Sequence, residues 1–269
     1  MHNTRQGFTL IELMVSIALM LLLIGIVMSI FNNSSTTVTM AEAKVEIFQN
    51  ARTTFEAMAQ EIADATEICI YNLTTENIDS NSFYRPSLTI KTIAHWIENN
   101  EQKSGDAVVQ YFIDIKNDLK NNLIVNDEKI FPLYKKIFPY NTTVNGKKYA
   151  RKKTDDDKYT AILSEYLVGP IGSNNSFGTQ PNKNFPIYIE RITSNNDNTS
   201  WHWVGDDYQT RLVPVSSGEE EGFSNDNSDT KDYANNSLPV AIRITMTFTD
   251  EFVRAKRTVS RVFWIPKGK

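Results

Sequence analysis

The feature that most constrains this chain is an unbroken apolar run near its N terminus. Residues 8–31 read FTLIELMVSIALMLLLIGIVMSIF, and Glu12 is the one ionisable side chain among these 24 residues. As an α-helix rising about 1.5 Å per residue, the run is long enough to cross the ~30 Å hydrocarbon core of a bilayer. The sequence therefore predicts a transmembrane helix with the lipid bilayer as its surroundings.

The charges on either side of the run predict its orientation. Arg5 and the N-terminal amine precede it, and the next basic residue after it is Lys44. The positive-inside rule then places the N terminus in the cytoplasm and the chain from residue 32 onward outside it. A removed secretory signal is the alternative, but its apolar stretch would be shorter and a small-residue cleavage site would follow. We therefore favour a retained membrane anchor.

Glu12 needs an explanation because a charged side chain within a membrane span is expensive, rare and usually functional. It lies four residues inside the run, where a side chain can also reach back to the interface. Spacing alone leaves both interpretations open.

The residues around Glu12 carry a family resemblance. The stretch GFTLIE, residues 7–12, and the short polar leader MHNTRQG, residues 1–7, resemble the processing site of type IV pilins and type II secretion pseudopilins. In that family a prepilin peptidase cuts after the glycine on the cytoplasmic side, and the new terminal phenylalanine is N-methylated. The resemblance implies a cut between Gly7 and Phe8 and methylation of Phe8.

The same resemblance implies a location and a set of partners. The protein would sit in a bacterial inner membrane by a single pass, with its C-terminal domain in the periplasm. Its partners would be other pilins or pseudopilins, the prepilin peptidase and an inner-membrane assembly platform.

Cleavage would also give Glu12 a cation. The new amine of Phe8 lies four residues before Glu12, residues at this spacing share a helix face, and the helix dipole favours a carboxylate in the first turn. As the resemblance implies, the same pair can form between subunits whose helices stack with an axial offset. We expect Glu12 to set the register of assembly.

A second, amphipathic stretch follows the span, from residue 32 to residue 68, without Pro or Gly after Thr36. Arg52 interrupts its apolar stripe, which is short and weakened by alanine, so packing on the protein's own sheet is favoured over a free coiled coil. Joined to the span, it makes one helix of more than 50 residues, which could bend at Gly25 or in the polar patch of residues 29–37. The predicted stripe consists of Val38, Ala41, Val45, Phe48, Phe55, Ala59 and Ile62.

The remainder, residues 69–269, reads as a β-rich domain. The last two of its alternating runs, separated by TDEFVRAK, predict a C-terminal hairpin. A long helix followed by mainly antiparallel strands is α+β order, with the helix covering one sheet face as in pilins. The strand-like runs are 106–115, 159–168, 185–192, 240–248 and 257–265.

The branch of the family depends on shorter matches. Residues 238–244 (LPVAIRI), 109–114 (VQYFID) and 61–64 resemble the J-type minor pseudopilins of type II secretion, and K-type subunits typically lack the carboxylate at Glu12. The sequence therefore favours a minor pseudopilin that serves protein export. A minor type IV pilin for adhesion or DNA uptake is the first alternative, and an enzyme or binding domain on an uncleaved anchor is the second.

The sequence gives little support for catalysis or nucleic-acid binding. The chain contains no Gly-rich phosphate loop, G-x-S-x-G elbow or HExxH motif, so we predict no catalysis and no catalytic cofactor. The net charge of −4 argues against nucleic-acid binding. Cys69, the one cysteine, is expected to be a small buried residue.

Two further segments are candidates for binding, one polar and one aromatic. Some pseudopilins bind calcium, and Asp226, Asp229 and Asp232 could supply oxygen ligands, but their loop lacks the glycine and glutamate of an EF-hand. A solvated acidic loop is favoured there. In the stretch 201–203 (WHW), both tryptophans would face one side of a strand, either buried together or exposed to a partner.

Overall fold

The computed structural model of the chain describes residues 9–71, 76–78, 81–83, 87–98, 100–113, 124–125, 128–140, 142–144, 147–151, 160–170, 187–192, 201–203, 208–209, 213–217, 220–224 and 238–266. These residues form one long helix, α1 (Leu10–Ala63), followed by seventeen strands. In chain order the strands are β1 (Glu67–Tyr71), β2 (Glu76–Ile78), β3 (Asn81–Phe83), β4 (Ser87–Glu98), β5 (Glu101–Ile113), β6 (Ile124–Val125), β7 (Glu128–Pro139), β8 (Thr142–Val144), β9 (Lys147–Arg151), β10 (Thr160–Pro170), β11 (Ile187–Ile192), β12 (His202–Trp203), β13 (Tyr208–Gln209), β14 (Val213–Ser217), β15 (Glu220–Ser224), β16 (Ala241–Thr249) and β17 (Lys256–Trp264).

The helix α1 runs through both predicted halves, 54 residues or about 80 Å at 1.5 Å per residue. Hydroxyl groups bond back to carbonyl oxygens one turn earlier where the sequence is polar: Thr36 donates to Asn33 at 2.9 Å and Thr37 to Asn33 at 2.8 Å. These bonds satisfy the polar side chains within the helix. The helix ends at Ala63 rather than at residue 68, because the Ala65 N–H bonds to the Ile62 carbonyl three residues earlier and the Thr66 N–H bonds to the Lys91 carbonyl on β4.

The main sheet has eleven strands, and every pairing in it is antiparallel. Its order is β12-β11-β16-β10-β7-β5-β4-β1-β13, with β17 added to β16 and β6 to β7. The predicted C-terminal hairpin is confirmed: β16 and β17 pair from Ala241 opposite Trp264 to Thr249 opposite Lys256. The α+β fold class, with a long helix packed on an antiparallel sheet, is also confirmed.

The predicted strands missed two long strands of the sheet, β4 and β7. The strand β7 contains Pro132, a residue that argues against a central strand because it cannot donate to the ladder. Here the register between β7 and β10 shifts between the pairs Ser164–Leu133 and Leu167–Phe131, which places Pro132 at an irregularity. On its other side β7 pairs with β5 only from Leu133 onward.

The buried face of α1 differs from the predicted stripe. Val38, Val45 and Phe48 are 53%, 54% and 47% exposed, whereas the later members Phe55 and Ile62 are buried. The prediction of packing on the sheet is right for the second part of the helix and wrong for the first. Alanines allow a helix and a sheet to approach closely, and a hydrophobicity pattern ranks them low. The residues that face the sheet are Ala43, Ile47, Ala51, Thr54, Phe55, Met58 and Ile62.

The core forms where this face meets the sheet. The Phe55 ring lies 6.1 Å from the rings of both Phe248 on β16 and Phe263 on β17, measured between centroids. Val109 and Tyr111 of β5 belong to the same buried cluster. The alternating apolar residues of the run 106–115 predicted this buried face, but Val108 and Phe112 on the opposite face of β5 are buried as well.

A polar contact fixes the end of the helix on the sheet. The carboxylate of Glu61 accepts hydrogen bonds from the Tyr111 hydroxyl and the Lys135 ammonium. The side chains of Lys135 and Glu61 are only 17% and 12% exposed. Burial first, and the Glu61 charge second, raise the pKa of Tyr111 well above its ordinary value. The acidic end of α1 is therefore tied to β5 and β7.

Removing the cation of this contact should destabilise the domain. For Lys135→Met we expect the free energy of unfolding to fall by about 3 kcal/mol, because the Glu61 charge stays buried without its cation and keeps only the Tyr111 hydroxyl. Urea unfolding of the detergent-solubilised full chain, followed by tryptophan fluorescence, measures this. The matched control is Arg52→Met, which breaks a pair with Glu56 whose side chains are 78% and 55% exposed and should change little. Equal losses in the two variants would contradict this role of Glu61.

The turn between β16 and β17 is organised by Asp250, which is fully buried. Its carboxylate accepts from the Ala255 N–H at 2.9 Å and from the Arg254 Nε at 2.7 Å. Burial works to raise the pKa of Asp250, but the hydrogen bonds from Ala255 and Arg254 and the Arg254 charge prevail and lower it. Within this turn Val253 has a φ of 54°, a left-handed conformation that is strained for a β-branched residue.

The lowered pKa of Asp250 predicts an acid dependence of stability. The contribution of a carboxylate with a lowered folded-state pKa is complete above its ordinary value, here 3.8, and is lost as the pH falls below it. The melting temperature of wild type should therefore decrease more steeply than that of Asp250→Asn between about pH 5 and pH 2. Parallel curves for the two proteins would show that Asp250 gains nothing from its charge.

Candidate processing and assembly site

The start of α1 is a reciprocal cap. Thr9 is the N-cap residue, with an extended backbone, and its hydroxyl accepts from the Glu12 N–H at 3.4 Å. In return, Oε2 of Glu12 accepts from the Thr9 N–H at 2.9 Å and from the Thr9 hydroxyl at 2.8 Å. This capping box satisfies N–H groups that the helix itself leaves without a partner.

The cap gives Glu12 a local role that the sequence analysis missed. Its carboxylate lies at the positive end of the helix dipole, where a negative charge is favoured. The signal was present in the sequence, since Thr9 and Glu12 have the T-x-x-E spacing of a capping box before an apolar run. The structure therefore explains how an otherwise apolar span begins with a carboxylate.

The predicted cut lies just before this cap. Gly7 and Phe8 fall outside the described residues, so the cut and the Phe8–Glu12 pair stay predictions. The cut would leave the peptide bond between Phe8 and Thr9 intact. The Thr9 N–H, from which Glu12 accepts a hydrogen bond, would therefore remain. Capping and pairing with a new amine are therefore compatible roles for one carboxylate.

The described part of the apolar run has no cover from the rest of the protein. From Leu10, at 76% exposure, to Phe31, at 68%, every side chain lies on the surface. The helix is long and apolar enough to cross a membrane, and none of its most apolar window is buried inside the protein. A surface of this kind is covered by lipid or by other helices.

The other sequence candidates are placed apart from the helix start. Cys69 is fully buried in β1, as expected. Trp201 is half-buried, and the Arg243 guanidinium lies 4.5 Å from its ring centroid. Arg243 also pairs with Glu190 at 2.5 Å. Trp201 thus packs at the edge of the sheet, next to β12.

The structure offers no metal centre among the residues that it describes, since no group of three or more His, Cys, Asp or Glu side chains converges there. The calcium candidates Asp226, Asp229 and Asp232 lie outside the described residues. Calcium binding by their loop therefore stays untested.

Comparison with known families reaches the N-terminal segment. Residues 2–28 match the family model described as Prokaryotic N-terminal methylation motif, which includes the predicted cut, the cap and most of the apolar run. The match supports a type IV pilin-like or pseudopilin-like protein, a structural class whose members are processed by prepilin peptidase and assemble with other pilins. The uncovered helix and this motif together indicate an inner-membrane anchor.

The β domain is not part of that match. Comparison with curated proteins gives no match, and comparison with solved structures gives none.

Proposed function

We propose that this chain is a membrane-anchored minor pseudopilin of a type II secretion system. A prepilin peptidase cuts it between Gly7 and Phe8, Phe8 is methylated, and α1 assembles into a pseudopilus that serves protein export. The observation that carries the proposal is the capped Glu12 at the start of an uncovered apolar helix, inside the matched motif. The flanking charges orient the β domain toward the periplasm.

The geometry of Glu12 supports a role in assembly. Both hydrogen bonds that its carboxylate accepts among the described residues end on Oε2, so within residues 9–266 as described Oε1 has no donor. A carboxylate oxygen without a partner is costly in hydrocarbon. The terminal amine that a neighbouring subunit gains on cleavage is a suitable partner, and it would fix the axial offset between the two helices.

The assignment to a minor subunit of type II secretion rests on the resemblance of the three segments named above. In the structure, Ile242 and Ile244 of the first segment and Val109 of the second are fully buried. These matches therefore concern the framework of the domain and not a binding surface. A minor type IV pilin shares the same anchor and cap, and the components that co-purify with the chain distinguish the two.

Three substitutions separate the charge of Glu12 from its capping role. Glu12→Gln keeps a residue that can complete a capping box but removes the charge, and Glu12→Ala removes both. Thr9→Val removes the hydroxyl part of the cap but keeps the charge and the backbone N–H that donates to Glu12. We expect all three variants to insert and to be cut. Both Glu12 variants should lose at least about tenfold in co-purification with other leader-bearing subunits, the equivalent of ~1.4 kcal/mol, whereas Thr9→Val should assemble.

The readout is the yield of those subunits after membrane solubilisation, relative to wild type. If Glu12→Gln assembled like wild type and Thr9→Val did not, the cap and not the charge would be what assembly needs.

A further inference from the structure

One edge of β4 is open over part of its length. The strand β1 pairs with this edge only as far as Glu67 opposite Lys91, where the Thr66 N–H also donates to the Lys91 carbonyl. Beyond this point β4 continues to Glu98, paired with β5 on its other side. Among the described residues no other strand pairs with β4. The open edge of β4 therefore begins where β1 and the end of α1 meet it.

Two hydrogen bonds show which backbone groups point to this edge. The Lys91 carbonyl points toward β1, and the Asp106 carbonyl, opposite Ile93 in β5, accepts from the Tyr140 N–H on the far side of β5. Opposed residues that do not bond to each other direct their backbone groups away from each other, so the N–H and C=O of Ile93 point to the open edge. By alternation, those of residues 95 and 97 point the same way.

The side chains at the open edge are also available for contact. Ile93 and Ile97 are 59% and 67% exposed, and His95 between them is exposed as well. The stretch 93–97 contains neither proline nor lysine, two residues that commonly protect an edge from pairing. An unprotected edge with exposed apolar side chains is a template for a further strand.

A cavity of about 320 Å³ lies at the corner where the open edge begins. Its lining includes the end of α1, Thr92 and Ile93 of β4, and Leu238 and Pro266. Thr92 is only 3% exposed, and its hydroxyl has no hydrogen-bond partner among the described residues. A buried hydroxyl without a partner is unfavourable, so a ligand that brings a polar group into the cavity would satisfy it.

The charges around this cavity favour a cation. Asp64 and Asp106 line it, and neither carboxylate is paired with a cation among the described residues. Lys91 lines it too, but its ammonium is paired with the Glu67 carboxylate at 3.4 Å. The end of α1 adds the negative pole of the helix dipole, and the last turn of the helix contains no basic residue. The corner therefore suits a lysine or arginine side chain.

We propose that the open edge of β4 binds an extended segment of a partner protein as an added strand. The segment pairs its backbone with Ile93, His95 and Ile97 and places apolar side chains opposite the two isoleucines. A lysine or arginine at the end of the segment enters the corner cavity. The main-chain hydrogen bonds supply affinity, and the alternate side chains supply selectivity.

A second copy of this chain fits the edge less well than a different protein does. If two such edges paired antiparallel about His95, the residue next to each acidic corner would be Glu98 of the other copy. Like charges would then meet where a cation is favoured. The occupant is therefore a partner whose segment carries a basic residue at this position.

The edge is placed where another protein can reach it. The end of α1 at Ala63 lies about 48 Å beyond Phe31 along the helix, at 1.5 Å per residue. In the orientation of the proposed function this position is in the periplasm, well away from the bilayer. The location of the edge rests on the proposed function, whereas the contacts at the edge do not depend on it.

A synthetic peptide tests the strand addition on the detergent-solubilised full chain. The probe is KTVTVTVTK, which has valines at alternate positions and a lysine for the corner in either strand direction. We expect binding by calorimetry, with slower amide exchange at Ile93, His95 and Ile97. Only one set of peptide N–H groups faces the edge, so N-methylation of either the valines or the threonines, but not of both sets alike, should weaken binding at least about tenfold.

Variants of the chain test each part of the site. His95→Pro removes an N–H that β5 does not use, and Ile97→Lys keeps the backbone but adds a charge to the edge; each should weaken binding at least about tenfold. Asp64→Asn with Asp106→Asn should weaken it at least about fivefold, as should glutamates in place of the peptide's lysines. The matched control is Ile162→Lys on β10, where Ile162 is 52% exposed, and it should bind like wild type.

Several results would overturn the proposal. They are no binding at millimolar peptide, equal binding of the two N-methylated peptides, or equal loss in the Ile162→Lys control. Exchange at Ile93, His95 and Ile97 that slows with protein concentration in the absence of peptide would show that a second copy is the occupant. None of these results bears on leader cleavage or on co-purification through Glu12, so each would leave the proposed function intact.

Discussion

A single helix has to satisfy two different environments, and the rest of the molecule is arranged around this demand. Residues 10–31 present apolar side chains on all sides, as a helix in lipid requires, whereas from Ala43 onward one face is buried against a sheet. The polar stretch between them is helical as well, and its threonine hydroxyls find acceptors in carbonyl oxygens one turn earlier. The apolar half of α1 and the half that packs on the β domain are therefore parts of one continuous helix.

The N-terminal start of the helix meets a related constraint. Helix starts leave N–H groups without partners, and a bilayer offers no water to supply them. The chain meets this need with the reciprocal bonds between Thr9 and Glu12, at the cost of a charge in the span. In the proposed assembly, the same charge selects the amine of a neighbour, so one residue both completes the helix and identifies its partner.

The sequence was informative where a pattern reflects local physics. The apolar span follows from a continuous apolar run and the C-terminal hairpin from hydrophobic alternation, and the structure confirms the hairpin and the helix. The alternation of β5 identified one buried face, but the structure buries the opposite face as well. The sequence pattern was misleading where tertiary contacts decide which residues are buried. Val38 and Val45 outweigh Ala43 and Ala51 in hydrophobicity, yet the sheet packs on the alanines because they allow close approach. At the site, Glu12 was identified from its neighbours, but its bond to Thr9 needed the helix start to be located.

The central claim is that α1 is a retained membrane anchor from which a leader, residues 1–7, has been removed by processing. Mass spectrometry of the chain purified from its native membrane tests this claim most directly. The account predicts a mature protein that lacks residues 1–7 and begins with an N-methylated Phe8. A purified protein that still begins with Met1, in cells whose prepilin peptidase is active, would contradict it.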